Sequence, residues 1–408
     1  MRILLIASQY PPIPGGGGVY THYLATALAG LASPGGRAKC EVHVFTAAPV
    51  GSPPRTERRQ RNLTVHWGPF DRSGRVMFES VVRYGLGFCK SFRPQVIHGQ
   101  HFDGAYVAVQ LGTVTPGTTT LATFHQSPSG ASLRRLVDSD PRVASILTSA
   151  LQVDRILPTC TVYKRELGEF GVPDTKLESA ILPGIDHPRL ATEAAGRKRQ
   201  TAAVLSKLHN VNRPDYDHLV LCPARLDPGK DIETFIRAAG HLKRRRFGQR
   251  IICFIAGRSL SPSQDEQRYE TSLWQLAQLE GVANQIRIGS LSWEHMLGLY
   301  AMTSVCVLPS VREALGLVLI EAMALRSPVI AANVEGVTDD VVEPEVNALV
   351  FPARDHEALA GNVEQVLSDR ELAERLRDGG VHTARIRFSQ RRMGREHFHL
   401  YRRLLGAR

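Results

Sequence analysis

The chain has 408 residues, 43% of them hydrophobic and 22% charged. Those are globular proportions, and the length exceeds what one hydrophobic core serves well, so wholesale disorder is excluded and two domains are expected. Basic residues exceed acidic ones by 50 − 39 = +11, which points to an anionic partner: a phosphorylated substrate, a membrane surface or nucleic acid.

Residues 2–7 (RILLIA) form a short apolar run suited to a buried parallel strand. The run is too short for a secretory signal core, and no stretch reaches the roughly 20 apolar residues that span a bilayer. A soluble, cytoplasmic protein is therefore expected. Residues 14–18 read as a glycine-rich turn and residues 19–31 as a helix. Strands are expected at 41–46, 63–66, 95–98, 119–124 and 155–158, with helical stretches between most of them. Residues 191–217 are polar, basic and weakly periodic, which suggests a linker. A second series follows, with strands at 218–224, 251–256, 285–288, 304–308, 328–332 and 348–351. Its helices are expected at 232–245, 265–280, 313–325, 355–367 and 371–385, and a last helix at 390–405. This alternation predicts an α/β protein of two Rossmann-like, doubly wound halves, residues 1–190 and 191–386. Ligands of such sheets bind at strand C-termini, beside helix N-termini, and two facing halves would place the site in a deep cleft.

Cys40, Cys89, Cys160, Cys222, Cys253 and Cys306 are far apart, which leaves no zinc knuckle and no C-x-x-C pair. Buried thiols in a reducing compartment are expected. Only eight of the 50 basic residues are lysine, and arginine forks suit phosphate. Nothing matches a zinc finger, an RNA-binding aromatic signature or a basic helix with interleaved aromatics, so no nucleic-acid partner is expected.

Three constellations carry candidate chemistry. Gly15 to Gly18 would let backbone N–H groups approach an anion, although neither a full G-x-G-x-x-G nor a Walker A loop is present and a plain turn is the alternative. Arg225 and Lys230 bracket a Pro-Gly turn after the strand that opens the second half. Two cations there suit a diphosphate leaving group, with a solvated loop as the alternative. Glu313 and Glu321 lie 321 − 313 = 8 residues apart around Gly316. A carboxylate in an apolar helix is costly unless something binds it. At about 1.5 Å per helical residue the two span roughly 12 Å or less, the scale of a nucleotide sugar. Asp138-Ser139-Asp140 is formally a D-x-D metal motif, but Asp140 as N-cap before Pro141 explains it better. No metal site is expected.

The segment 309–324, followed by Pro328-Val329-Ile330-Ala331, closely resembles the E-x7-E region of retaining GT-B glycosyltransferases of family 4. Residues 224–230 resemble that family's G-R-x-x-x-x-K loop, with Ala224 for Gly. Residues 182–186 resemble its P-N-G-V-D segment without the Asn, and 14–19 its N-terminal glycine loop. His98 to Gly104 and Thr123-Phe124-His125 look like the sucrose-phosphate-synthase-like branch. The resemblance implies a GT-B fold and assigns roles. Glu313 would hydrogen-bond the donor sugar, with backbone N–H groups of Ala314, Leu315 and Gly316. Glu321 would bind the ribose, Arg225 and Lys230 would neutralise the diphosphate, and Gly16 and Gly17 would allow close approach to phosphate or acceptor. His125 would touch the transferring sugar. The base would lie against Gly289-Ser290-Leu291, and the last helix, about 387–408, would cross back onto the first domain. His101 and Asp103 are further acceptor or sugar candidates. The chain departs from the family pattern at Leu315, where an aromatic is usual, and at Arg258 after Gly257.

A retaining transferase of EC 2.4 is therefore expected, taking a hexosyl or N-acetylhexosaminyl group from a nucleoside-diphosphate sugar, UDP by family habit. Its acceptor would be a hydroxyl of a small sugar, cyclitol or natural product. No cofactor is expected, because Arg225 and Lys230 supply the positive charge a metal would. Residues 1–190 hold 20 Lys+Arg and 13 Asp+Glu, with Arg55, Arg58, Arg59 and Arg61 clustered. That bias leaves a phosphorylated or lipid-linked acceptor at the inner membrane surface as an alternative, and a solvated loop explains the cluster as well. An NAD-dependent Rossmann oxidoreductase and a non-catalytic sugar- or lipid-binding relative are the other two readings. Arginine richness suggests a GC-rich bacterial genome. Oligomeric state is not legible.

Overall fold

The computed structural model describes residues 1–13, 15–49, 51–70, 77–125, 141–212, 215–245, 250–259, 262–313 and 315–406. They form two compact units, Met1–Gly184 with Ser389–Arg408, and Ile185–Phe388. The boundary falls at 184/185, six residues before the expected 190/191.

Unit 1 runs β1 (Arg2–Ile6), α1 (Gly16–Ala29), β2 (Glu41–Ala47), β3 (Arg55–Gln60), β4 (Leu63–Phe70), α2 (Met77–Phe92), β5 (Val96–Gln100), α3 (His101–Gly112), β6 (Thr119–Phe124), α4 (Pro141–Ala150), β7 (Arg155–Pro158) and α5 (Thr161–Glu169). The sheet order is β3-β4-β2-β1-β5-β6-β7, parallel except for β3 against β4. Ile3 to Ile6 are all fully buried. A central parallel strand is covered on both faces, which is why this run does not alternate.

Two expectations change here. The glycines after β1 form the first turn of α1, where a turn was expected. Gly17 has no room for a Cβ, which would lie 2.4 Å from His101 Nε2. The arginine cluster is an exposed edge strand, β3, invisible to hydrophobic patterning because the β4 backbone holds it. Trp67 Nε1–H donates to Glu57 at 3.0 Å, Arg59 pairs with Glu57 at 2.9 Å, and the Arg55 guanidinium lies 5.1 Å from the Trp67 ring centre.

Unit 2 runs α6 (His187–His209), β8 (His218–Cys222), α7 (Ile232–Arg244), β9 (Ile251–Ala256), α8 (Gln264–Leu279), β10 (Ile286–Gly289), α9 (Trp293–Tyr300), β11 (Val305–Leu308), α10 (Leu317–Ala324), β12 (Val329–Asn333), α11 (Val337–Asp340), β13 (Leu349–Pro352), α12 (His356–Ser368) and α13 (Arg370–Arg387). Its sheet is wholly parallel, in the order β10-β9-β8-β11-β12-β13. Helix α6 replaces most of the expected 191–217 linker. Asp186 caps it, accepting from Arg189 N, and Pro188 stands in the first turn. Only Leu190, Ala194, Thr201 and Leu205 are buried, a stripe too narrow to register among the charges around it.

The last helix, α14 (Gln390–Gly406), belongs to unit 1. Its buried polar groups hydrogen-bond to buried polar groups of unit 1. Burial pulls His397 down to about 4 and His98 well below the usual range, so both rings are neutral. A carbonyl only accepts, so His397 Nδ1–H donates to Met393 O at 2.8 Å and its Nε2 accepts from the Tyr20 hydroxyl at 3.2 Å. His98 Nε2 lies 2.8 Å from Thr123 Oγ1 and its Nδ1 lies 2.7 Å from the Tyr401 hydroxyl, so the neutral ring donates on one side and accepts on the other. The Met393 carbonyl thus sets the tautomer of His397.

All six cysteines lie among the described residues, buried and outside any disulfide. Among the described residues no helix is long and apolar enough to cross a membrane. Tyr401→Phe strips His98 Nδ1 of its hydrogen-bond partner and is expected to cost about 1–3 kcal/mol. Urea unfolding followed by fluorescence checks this, and an unshifted midpoint would show that the bond does not support the helix.

Candidate active site

In unit 2 the site residues gather at the C-terminal edge of the sheet. After β8 the chain turns through a short 3₁₀ turn, Pro228–Lys230, capped by Asp227, which accepts from Gly229 N at 2.8 Å. Arg225 is exposed, whereas Ala224 is buried under Gly257. Strand β11 is the neighbour of β8, and the loop leaving it lies alongside, with Val311 N–H donating to Gly229 O at 3.2 Å. Lys230 and Glu313 meet there. Nζ lies 2.5 Å from Oε2, with the two side chains 18% and 15% exposed. The Ser310 hydroxyl donates to the same carboxylate oxygen at 3.4 Å.

The helix expected from Glu313 begins at Leu317 instead, leaving Glu313 in the loop. Gly316 has φ 65 and ψ 54, a left-handed conformation that no helix interior accommodates and that a side chain would strain. Ala314 lies outside the described residues, as do Asp138, Ser139 and Asp140. Leu315 is buried. Helix α10 follows β11, so its N-terminal end lies on the side of the strand C-termini, where a helix start favours an anion.

Glu321 sits one turn further on, 8% exposed. Burial pushes its carboxyl up to about 7, moderated by Trp293 and Tyr300 beside it. The buried Trp293 Nε1 nevertheless has no partner in hydrogen-bond geometry among the described residues. Leu291 is half-buried in the loop after β10. That loop is pinned from both sides. Gly289 O accepts from Gly257 N and Arg258 N, and the His209 ring lies directly beneath Gly289.

In unit 1 a second group gathers at the ends of β5 and β6. His125 packs edge-on against Tyr20 and tilted against His101, with ring centres 4.6 Å apart in each case. Gly17 lies against both histidines. Gly16 starts α1 and is exposed. His101 opens α3 at φ 59, a strained value for a residue with a side chain. Asp103, in the same turn, works against the burial that lowers His101. His125 Nε2 is 2.9 Å from Gln100 Oε1.

Each predicted residue within the described set therefore falls into one of two groups. Arg225, Lys230, Leu291, Glu313, Leu315, Gly316 and Glu321 lie in unit 2, and Gly16, Gly17, His101, Asp103 and His125 in unit 1. Gln100, Tyr20, Trp293 and His209 were not singled out from the sequence. Only Gln100 carried a signal, a lone amide ending an otherwise buried strand beside His101. Among the described residues no three metal-ligating side chains cluster.

The model described as Glycosyltransferase Family 4 matches residues 14–189, and that described as Glycosyl transferases group 1 matches residues 207–382. The chain belongs to glycosyltransferase family 4. The Mycobacterium tuberculosis glycogen synthase is 27% identical over 399 residues, spanning 92% of this chain and 88% of that protein. The sucrose-phosphate synthase of Thermosynechococcus elongatus superimposes with TM-score 0.78 at 23% identity, covering 100% of both chains. Anabaena Alr3699/HepE, solved with UDP and glucose, superimposes with TM-score 0.73 at 16% identity over 98% of this chain and 99% of that one. The fold is GT-B, with two parallel-sheet α/β domains, and this family 4 enzyme is a glycosyltransferase rather than an oxidoreductase.

Glu321 yields a stability prediction. Its folded value of about 7 exceeds the ordinary 4.5. As pH rises from about 4.5 to 7 the unfolded chain releases this proton while the folded one keeps it, so stability falls by up to about 3 kcal/mol and then levels off. Glu321→Gln removes that loss. Its stability advantage over the parent should be small at pH 4.5 and reach its full size above pH 7, measured by urea unfolding across that range. A pH-independent gap would contradict the shift.

Proposed function

We propose that this glycosyltransferase moves a hexosyl or N-acetylhexosaminyl group from a UDP-linked sugar, with retention, to a hydroxyl of a small sugar, cyclitol or natural product. The observation that carries the reading is the Lys230–Glu313 pair at the sheet edge beside Arg225. Breaking the anomeric bond puts negative charge on the diphosphate and positive charge on the sugar. Lys230 and Arg225 would take the diphosphate, with help from the α10 amides. Glu313 would turn its carboxylate to the sugar hydroxyls, and Glu321 would accept from the ribose. Engagement with Lys230 suits Glu313 to accepting hydrogen bonds, not to forming a glycosyl intermediate of the kind used by retaining glycosidases. The departing phosphate would then receive the acceptor proton on the face it leaves. No metal has a part in this scheme, and the HepE complex with UDP and glucose supports the choice of donor.

The exposed strand β3 favours a second reading of the acceptor. Arg55, Arg58 and Arg59 on that strand, with Arg61 after it, suit a phosphorylated or lipid-linked acceptor at an anionic surface. Sedimentation with phosphatidylglycerol vesicles distinguishes the two readings: retention on the vesicles favours the second.

Calorimetry against UDP, GDP, ADP and dTDP, with and without Mg²⁺, tests the donor. Metal-independent binding of UDP alone is expected, and binding of none would overturn the reading. Lys230→Ala leaves the covered Glu313 unpaired and should lower the melting temperature, and at a temperature where the variant stays folded it should lower kcat by a factor of about 10² or more. Near-normal turnover would remove Lys230 from the phosphate role. UDP-glucose affinity should rise with pH up to about 7, by as much as tenfold per unit, because the ribose selects the Glu321 carboxylate. Proton release on binding, read by calorimetry in buffers of different ionisation enthalpy, checks the sign.

A further inference from the structure

We propose that Gln100 is a positioning residue for glycosyl transfer: its amide carbonyl holds His125 in the Nε2–H form and leaves Nδ1 as a bare acceptor for a sugar hydroxyl. The inference rests on the proposed function and on the role that the family resemblance gives His125, contact with the transferring sugar, and adds what sets that ring's proton.

Gln100 ends β5 and His125 follows β6, and the pairing of these strands sets Gln100 opposite Thr123. His125 Nε2 lies 2.9 Å from Gln100 Oε1. An amide oxygen only accepts, so Nε2 carries a hydrogen. The ring has no freedom to rotate away, because Tyr20 from α1 and His101 from α3 pack against it. Burial, with His101 and His98 nearby, keeps His125 well below the usual histidine range, so one nitrogen only is protonated. Among the described residues nothing bonds Nδ1, and Gln100 is fully buried with its Nε2 unpartnered. Gln100 is thus too enclosed to meet solvent, and among the described residues its one side-chain hydrogen bond goes to His125.

The choice of an amide has a physical reason. A carboxylate at position 100 would stabilise the imidazolium. A positive ring beside a sugar that is itself becoming positive would raise the barrier. Glutamine orients the ring without charging it. Among the described residues the other groups near the ring are Tyr20, His98, His101 with Asp103, and Tyr163, whose hydroxyl donates to His125 O at 3.4 Å.

Long-range ¹H–¹⁵N NMR of histidine-labelled protein reads the tautomer with no substrate present. The wild-type chain should show His125 neutral at pH 7, with Nε2 protonated and Nδ1 bare. A protonated Nδ1 or an imidazolium would overturn the proposal. Gln100→Leu removes the acceptor. It should leave the two tautomers mixed and lower kcat for UDP-glucose turnover about tenfold or more, with the donor KM within twofold. Gln100→Glu should bring a His125 ionisation into the pH 6–8 window and make kcat fall as pH drops through it, with recovery above. Unchanged kcat and an unchanged pH profile in these variants would also overturn the proposal. Absence of turnover in the wild-type chain would instead count against the proposed function, and the tautomer would still be read.

Discussion

The site in unit 2 depends on a single ion pair between residues 83 positions apart in sequence. Lys230 and Glu313 leave the sheet on adjacent strands, β8 and β11, and parallel pairing puts both loops at the same edge. Each charge is largely covered, so either alone would be a partly desolvated ion, and together they neutralise each other. The consequence is a cation held in place but not committed, one that an incoming polyanion can share. The backbone bond from Val311 N–H to Gly229 O fixes the loops themselves, so the side chains can change partners without the scaffold moving.

Unit 1 solves a different problem. Its buried imidazoles cannot be charged, so they must be satisfied as neutral donors and acceptors. His98 does this between Thr123 and the Tyr401 hydroxyl, and His397 between the Tyr20 hydroxyl and the Met393 carbonyl. The last helix thereby becomes part of the polar interior of the unit that begins the polypeptide. His125 and Gln100 repeat the principle on a smaller scale beside Gly17.

Legibility followed physical signal. The strands of both parallel sheets were readable because full burial makes continuous apolar runs, and Thr119–Phe124, Arg155–Pro158 and Ile251–Ala256 fall where expected. Strand β3 was not readable, because arginines stabilised by Trp67 and Glu57 present no apolar pattern. Helix α6 was missed because four buried positions in 23 residues leave a stripe narrower than a periodicity reading detects. The start of α10 was misplaced because the sequence marks Gly316 as special without saying that its φ is positive.

The sequence by itself determined the chemistry available: the cations at 225 and 230, the carboxylates at 313 and 321, the glycines and histidines of the first half, and the family they indicate. Residue type and local spacing carry that information because charge, hydrogen-bonding capacity and permitted backbone angles are properties of single residues and short segments. Only the tertiary structure decided which groups meet. It paired Lys230 with Glu313, buried Glu321 deeply enough to hold its proton, and gave His125 the carbonyl of Gln100 as its partner. These outcomes depend on strand order and on the exclusion of water, and both are set by contacts between residues distant in the chain.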